Sequence, residues 1–139
     1  VTVDGDGNPF AMDGVNLSAG VYATATGGGG STTPGAANTQ TSTTCQSNAS
    51  GGDVGYYFTL CPAVTRNLAA SNCSDTWDSI LSFKTGTAST ACSDDACGAG
   101  SPPRQSSIGA TSVTGPDLYW LIVDGWSGAS GPYSVTYSN

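Results

Sequence analysis

The chain has 139 residues, a net charge of -7 and no histidine. Only 9% of its residues are charged, against roughly 25% in an average soluble domain, and its basic residues are Arg66, Lys84 and Arg104. Scattered cations build no basic patch, which excludes nucleic acid as a partner and disfavours an anionic membrane surface. The missing histidine removes the usual Ser/His/Asp and Cys/His arrangements and most zinc hydrolase sites, leaving a carboxylate pair or a metal-bound water as routes to catalysis.

Twenty Gly and seven Pro, with abundant Ser and Thr, predict many turns and little helix. One domain is expected at this length, with enough chain to bury a core. The chain starts at Val1, as a mature or processed chain would, with neither an initiator Met nor a signal peptide. No apolar run approaches the roughly 20 residues that span a bilayer. Five cysteines suit an oxidising compartment, so a secreted, extracellular protein is expected.

Residues 1–22 form an N-terminal extension. Val1 and Val3 can begin a short strand, and Phe10, Met12, Val15 and Leu17 are apolar enough to dock. In between, Asp4, Asp6 and Asn8 alternate with glycine, so their side-chain oxygens can converge on calcium, with Asp13 as a fourth ligand. Pro9 and Val15 stand where an EF-hand needs Gly and Glu, so the loop is no EF-hand, and an Asx-rich turn is the plain alternative. Residues 23–52 are a low-complexity Gly/Thr/Ser segment of linker-like composition leading into the sandwich.

The core, residues 53–139, reads as successive strands. Val54, Tyr56, Phe58 and Leu60 alternate with smaller or polar residues and end at Pro62. Residues 64–70 make a weaker strand, 73–77 a turn, 79–85 a strand with Ile80, Leu81 and Phe83, and 87–92 a short strand. Residues 93–103 read as a loop and 105–113 as a weak, polar strand. Residues 118–123 are apolar on both faces, whereas Tyr133, Val135 and Tyr137 alternate with Ser and Thr. The Gly/Ser turn between these last two runs predicts a hairpin. Strands spaced by turns, with no helical period, predict an all-β antiparallel β-sandwich.

Spacing leaves cysteine connectivity open. One arrangement pairs Cys61 with Cys73, stapling successive strands, and Cys92 with Cys97, closing the Ser-Asp-Asp-Ala turn. Cys45 is then odd, as a free thiol, a bridge to another chain or a partner in a rearranged pairing. Asp75, Asp78, Asp94 and Asp95 could form a second calcium site or an acid/base pair. The bland reading makes them strand anchors and turn residues that accept backbone N–H bonds. Trp126, in the predicted turn, is placed to stack on a sugar or fill a protein interface, whereas Trp120 reads as core. Asn16, Asn48 and Asn72 each open an Asn-X-Ser sequon.

The runs GDVGYYFTL, SDTWDSILSF, ACSDDACG and DLYWLIVDGWSGASGPYSVTY together resemble the bacterial pre-peptidase C-terminal domain, in its Cys-bearing secreted form. The matching stretches are residues 53–58, 78–81, 93–95 and 119–133, and the likeness covers residues 24–139. Ser93 departs from the pattern, which has Asn there, and residues 1–22 lie outside it. The resemblance implies a jelly-roll-like sandwich attached to exported bacterial enzymes, itself non-catalytic, with aspartates as framework residues. Some such domains bind extracellular polymers or calcium.

Two non-enzymatic functions follow. The extended arm ahead of a sandwich with open edges suggests a structural subunit of an extracellular filament or surface assembly. Its arm would add a strand to a neighbouring copy, giving a homopolymer. The alternative is an accessory or adhesion domain of a secreted hydrolase that binds an extracellular polysaccharide or protein. A stand-alone enzyme is disfavoured, with no recognisable nucleophile.

Overall fold

The apolar alternation resolves into a two-layer all-β sandwich. The computed structural model describes residues 15–16, 23–27, 45, 48–85, 88–98 and 104–138. Its strands are β1 (Val15–Asn16), β2 (Ala23–Gly27), β3 (Val54–Leu60), β4 (Thr65–Ser71), β5 (Ser79–Thr85), β6 (Ala88–Asp94), β7 (Ser107–Thr114), β8 (Asp117–Gly125) and β9 (Tyr133–Ser138). One sheet runs β1-β3-β8-β5-β6 and the other β2-β9-β4-β7. All pairings are antiparallel except β1 with β3. Among the described residues no helix is long and apolar enough to cross a membrane.

The core lies between the sheets. Val54, Tyr56, Leu81, Phe83, Leu121 and Val123 face Leu68, Ile108, Val113, Val135 and Tyr137. Tyr56 and Tyr133 meet edge to face across the layers, and their hydroxyls are hydrogen-bonded. A bonded pair lets two phenols be buried without leaving a polar group unsatisfied. β8 is central, and its other face buries Trp120 and Ile122 in a second, smaller cluster beside Leu118.

Several expectations change at this level. Residues 118–123 and 133–137 form no hairpin, because β8 pairs with β3 and β5 while β9 pairs with β2 and β4. The Gly/Ser stretch between them crosses from one sheet to the other. Hairpin and crossover demand the same turn residues, so local composition does not separate them. Ser93 and Asp94, read as loop, extend β6 opposite Leu81 and Ile80. β2 lies within the low-complexity segment, and its five residues pair with β9. The calcium-loop residues Asp4, Asp6, Asn8 and Asp13 lie outside the described residues.

The disulfide arrangement is also corrected. The bridges are Cys45–Cys92 and Cys73–Cys97, with Cα–Cα distances of 5.8 and 5.4 Å, and Cys61 is a free, exposed thiol. Cys61 and Cys73 flank opposite ends of seven-residue β4, roughly 20 Å apart. That is far beyond disulfide reach. Cys97 instead meets Cys73 because the turns after β4 and β6 lie at the same end of the sandwich. Cys92, on β6, is left for Cys45, which is neither free nor interchain.

Candidate functional site

The end of the sandwich where β8 finishes gathers the residues of most chemical interest. Gly125 closes β8. A Cβ there would collide with the carbonyl of Ala129, so only glycine lets the chain fold back so tightly. Ser127 and Gly128 then take positive φ, 50° and 82°, and the Ala129 N–H donates to the Trp126 carbonyl at 2.9 Å. The turn is pinned from two sides. The Trp126 N–H donates to the Asp78 carbonyl at 3.1 Å, and the Ser127 N–H to the Asn48 carbonyl at 2.9 Å. Ala49 forms a bridge with Trp126. The backbone is thereby fixed while the indole stays out. Trp126 is 41% exposed, the exposed large hydrophobic among the described residues.

Beside it lies a cleft of about 220 Å³ lined by Asp78, Asp94, Asp95 and Trp126. Asp78 precedes β5, Asp94 ends β6, and Asp95 begins the following turn at a φ of 62°. One carboxylate oxygen from each lies within 4.8 Å of the others. Burial first, then the charges of Asp95 and Asp94, hold the Asp78 carboxyl above its usual range, and Arg104 opposes the shift. Asp95 is raised by burial and Asp94, again against Arg104. Three converging carboxylates can receive hydroxyl or ammonium donors, or supply part of the six to eight oxygens that calcium requires.

Asp75 does not join them. Its Oδ1 accepts the Ser134 N–H at 2.9 Å, tying the β4–β5 turn to β9. Partial burial raises its pKa, offset by Ser134 and by the Asn72 amide. Of the four aspartates singled out from sequence, three cluster and one is a framework residue. Trp77 had no role assigned from sequence. Its indole N–H donates to the Pro132 carbonyl at 2.8 Å, and its ring packs so closely on Gly131 that a Cβ there would clash. This contact seats the crossing from β8 to β9. Trp120 is buried, as its mid-strand position predicts.

A second polar centre, at the start of β7, is structural. Asn72 Oδ1 accepts from Ser79 Oγ at 3.1 Å and from the Ser106 N–H at 3.0 Å, and Ser106 Oγ bonds the carbonyls of Ser79 and Ser93. It holds the two sheets together where the Cys73–Cys97 bridge lies.

A buried carboxyl also sits on the outer face of the five-stranded sheet. Asp124 is 1% exposed. Its Oδ1 accepts the Gly125 N–H at 2.6 Å, and Oδ2 has no hydrogen-bond partner among the described residues. Burial pushes its pKa up to about 8, the nearby Asp53 adds to this, and Gly125 and Lys84 oppose it. Asp124 is therefore largely protonated at neutral pH.

No protein-family model matches the chain, and no curated protein matches it in sequence. Among solved structures it is similar to the pre-peptidase C-terminal domain of a collagenase from Bacillus anthracis. The TM-score is 0.52 at 11% identity, over 94% of this chain and 98% of that one. The shared property is the fold: this chain is an all-β sandwich with a fold like that of the pre-peptidase C-terminal domain.

Proposed function

We propose that the chain is a non-catalytic accessory or adhesion module of an extracellular protein, holding an extracellular polymer against Trp126 and the acidic cleft beside it. The carrying observation is the exposed indole on a fixed backbone next to three convergent carboxylates. A flat ring stacks on a sugar face or an apolar side chain, and carboxylates accept from hydroxyl or amide donors. The fold shared with a domain of a collagenase supports attachment to a secreted hydrolase. Two disulfides suit the extracellular setting. With no histidine in the chain, the carboxylates have no conventional nucleophile–base partner.

The filament reading needs the arm on a neighbouring copy, and the accessory reading is favoured by the fold shared with a domain of a collagenase. Co-sedimentation with insoluble polysaccharides and with collagen fibrils tests it, comparing wild type with Trp126→Ala. Retention of wild type and loss of the variant are expected; equal behaviour overturns the assignment. Repeating the assay with calcium and with a chelator tests the aspartates. Calcium dependence assigns them to a cation, and independence to direct contact with the polymer.

A further inference from the structure

The three sequons of the chain have unlike environments, and one of them is joined through its backbone to the turn that carries Trp126. Asn72 opens Asn72-Cys73-Ser74 but is 1% exposed, its Oδ1 taken by Ser79 and Ser106, with Cys73 locked to Cys97. Asn16 lies in β1, and its side chain is outside the described residues. Asn48, in Asn48-Ala49-Ser50, is exposed. The Ser50 hydroxyl donates to Asn48 Oδ1 at 3.2 Å. The backbone is held in place, since the Asn48 carbonyl accepts from Ser127 and Ala49 bridges to Trp126.

We propose that Asn48 is an N-glycan acceptor in the folded protein. The donor is a lipid-pyrophosphoryl oligosaccharide handled by an oligosaccharyltransferase. Nδ2 attacks the anomeric carbon, the C–N bond forms as the C–O bond to pyrophosphate breaks, the lipid pyrophosphate leaves, and the amide nitrogen gives up a proton. An exposed acceptor suits a bulky, solvated substituent, whereas a buried asparagine does not. Asn72 is thus a control within the same molecule: its modification requires the network at the start of β7 to open first.

The test uses the purified, disulfide-intact chain, a purified single-subunit oligosaccharyltransferase that needs only Asn-X-Ser/Thr, and a short-chain lipid-pyrophosphoryl oligosaccharide. A synthetic acceptor peptide confirms that the transferase is active. Peptide mapping by mass spectrometry is expected to place the glycan on Asn48, with occupancy at Asn72 at least about tenfold lower because that site needs local unfolding. Reduced, unfolded chain is expected to accept at both. Ser50→Ala abolishes modification at Asn48 and leaves Asn72 in the unfolded chain unaffected. Absence of glycan on Asn48 in the folded chain overturns the proposal, as does equal occupancy of Asn48 and Asn72.

Discussion

β8 is buried on both faces, but by different means. Toward the sandwich interior, Tyr119, Leu121 and Val123 meet the opposing sheet across a continuous apolar core. On the outer face, Trp120 and Ile122 form a small cluster, and the same face carries buried Asp124, Ser82 and Lys84. The described residues that approach this face are tethered by the Cys45–Cys92 bridge, the Ala49–Trp126 bridge and the Gly51 N–H to Gly125 carbonyl bond at 2.9 Å. One face is closed by sheet packing, whereas the other carries a mixed polar surface with a disulfide and backbone tethers at its edge.

Breaking the inner face should cost most. Leu121→Ala, fully buried among large neighbours, is expected to lower unfolding free energy in urea by about 2–5 kcal/mol. Replacing Cys45 and Cys92 together by Ser should cost about 2–4 kcal/mol, mainly by freeing the unfolded chain. In a Trp126→Ala background, that double variant should also shift tryptophan emission to the red and raise acrylamide quenching, as the outer cluster is uncovered. Leu121→Ala should destabilise without this native-state signature. Unchanged emission in the cysteine variant would mean that the tether does not seal the outer face.

A smaller effect separates the faces by pH. The folded Asp124 pKa, about 8, lies above the ordinary 3.8, so the unfolded chain releases this proton first. Its contribution is fully present below about pH 4 and is lost as pH rises through the folded value near 8. Asp124→Asn keeps the acceptor for Gly125 and removes the titration. It should flatten stability between pH 4 and 8 and gain on the order of 1–3 kcal/mol at pH 8. Wild type and variant falling in parallel across that window would place the titration elsewhere. The smallest stability effect is at Trp126→Ala, within about 0.5 kcal/mol because the side chain is exposed. Polymer binding by that variant should nevertheless weaken about tenfold or more, as for an aromatic anchor. Loss of binding together with a large drop in stability would indicate a structural indole.

Parts of this comparison were legible in the linear chain. The double-faced apolar run of β8, the alternation of β9 and the bounds of β3 and β5 follow from side-chain periodicity, since each strand's pattern records which faces are dry. Trp126 was legible as a turn aromatic, because a large apolar residue amid Gly and Ser has little local reason to be there. Asp78, Asp94 and Asp95 were legible as acids in turns, but so was Asp75. Only the folded chain separates Asp75, bonded to Ser134, from the three that share a cleft.

What the sequence determined by itself is local: an all-β chain, the positions of β3, β5, β8 and β9, and a composition without histidine. Tertiary structure decided whatever depends on which ends meet. It sent β8 and β9 to opposite sheets, joined Cys45 to Cys92 rather than Cys92 to Cys97, and exposed Asn48 while burying Asn72 in the same tripeptide pattern. Spacing along a chain limits how far apart two residues can be. It does not say which turns stack at one end of a sandwich, and that stacking produced the Cys73–Cys97 bridge and the Trp126 cleft.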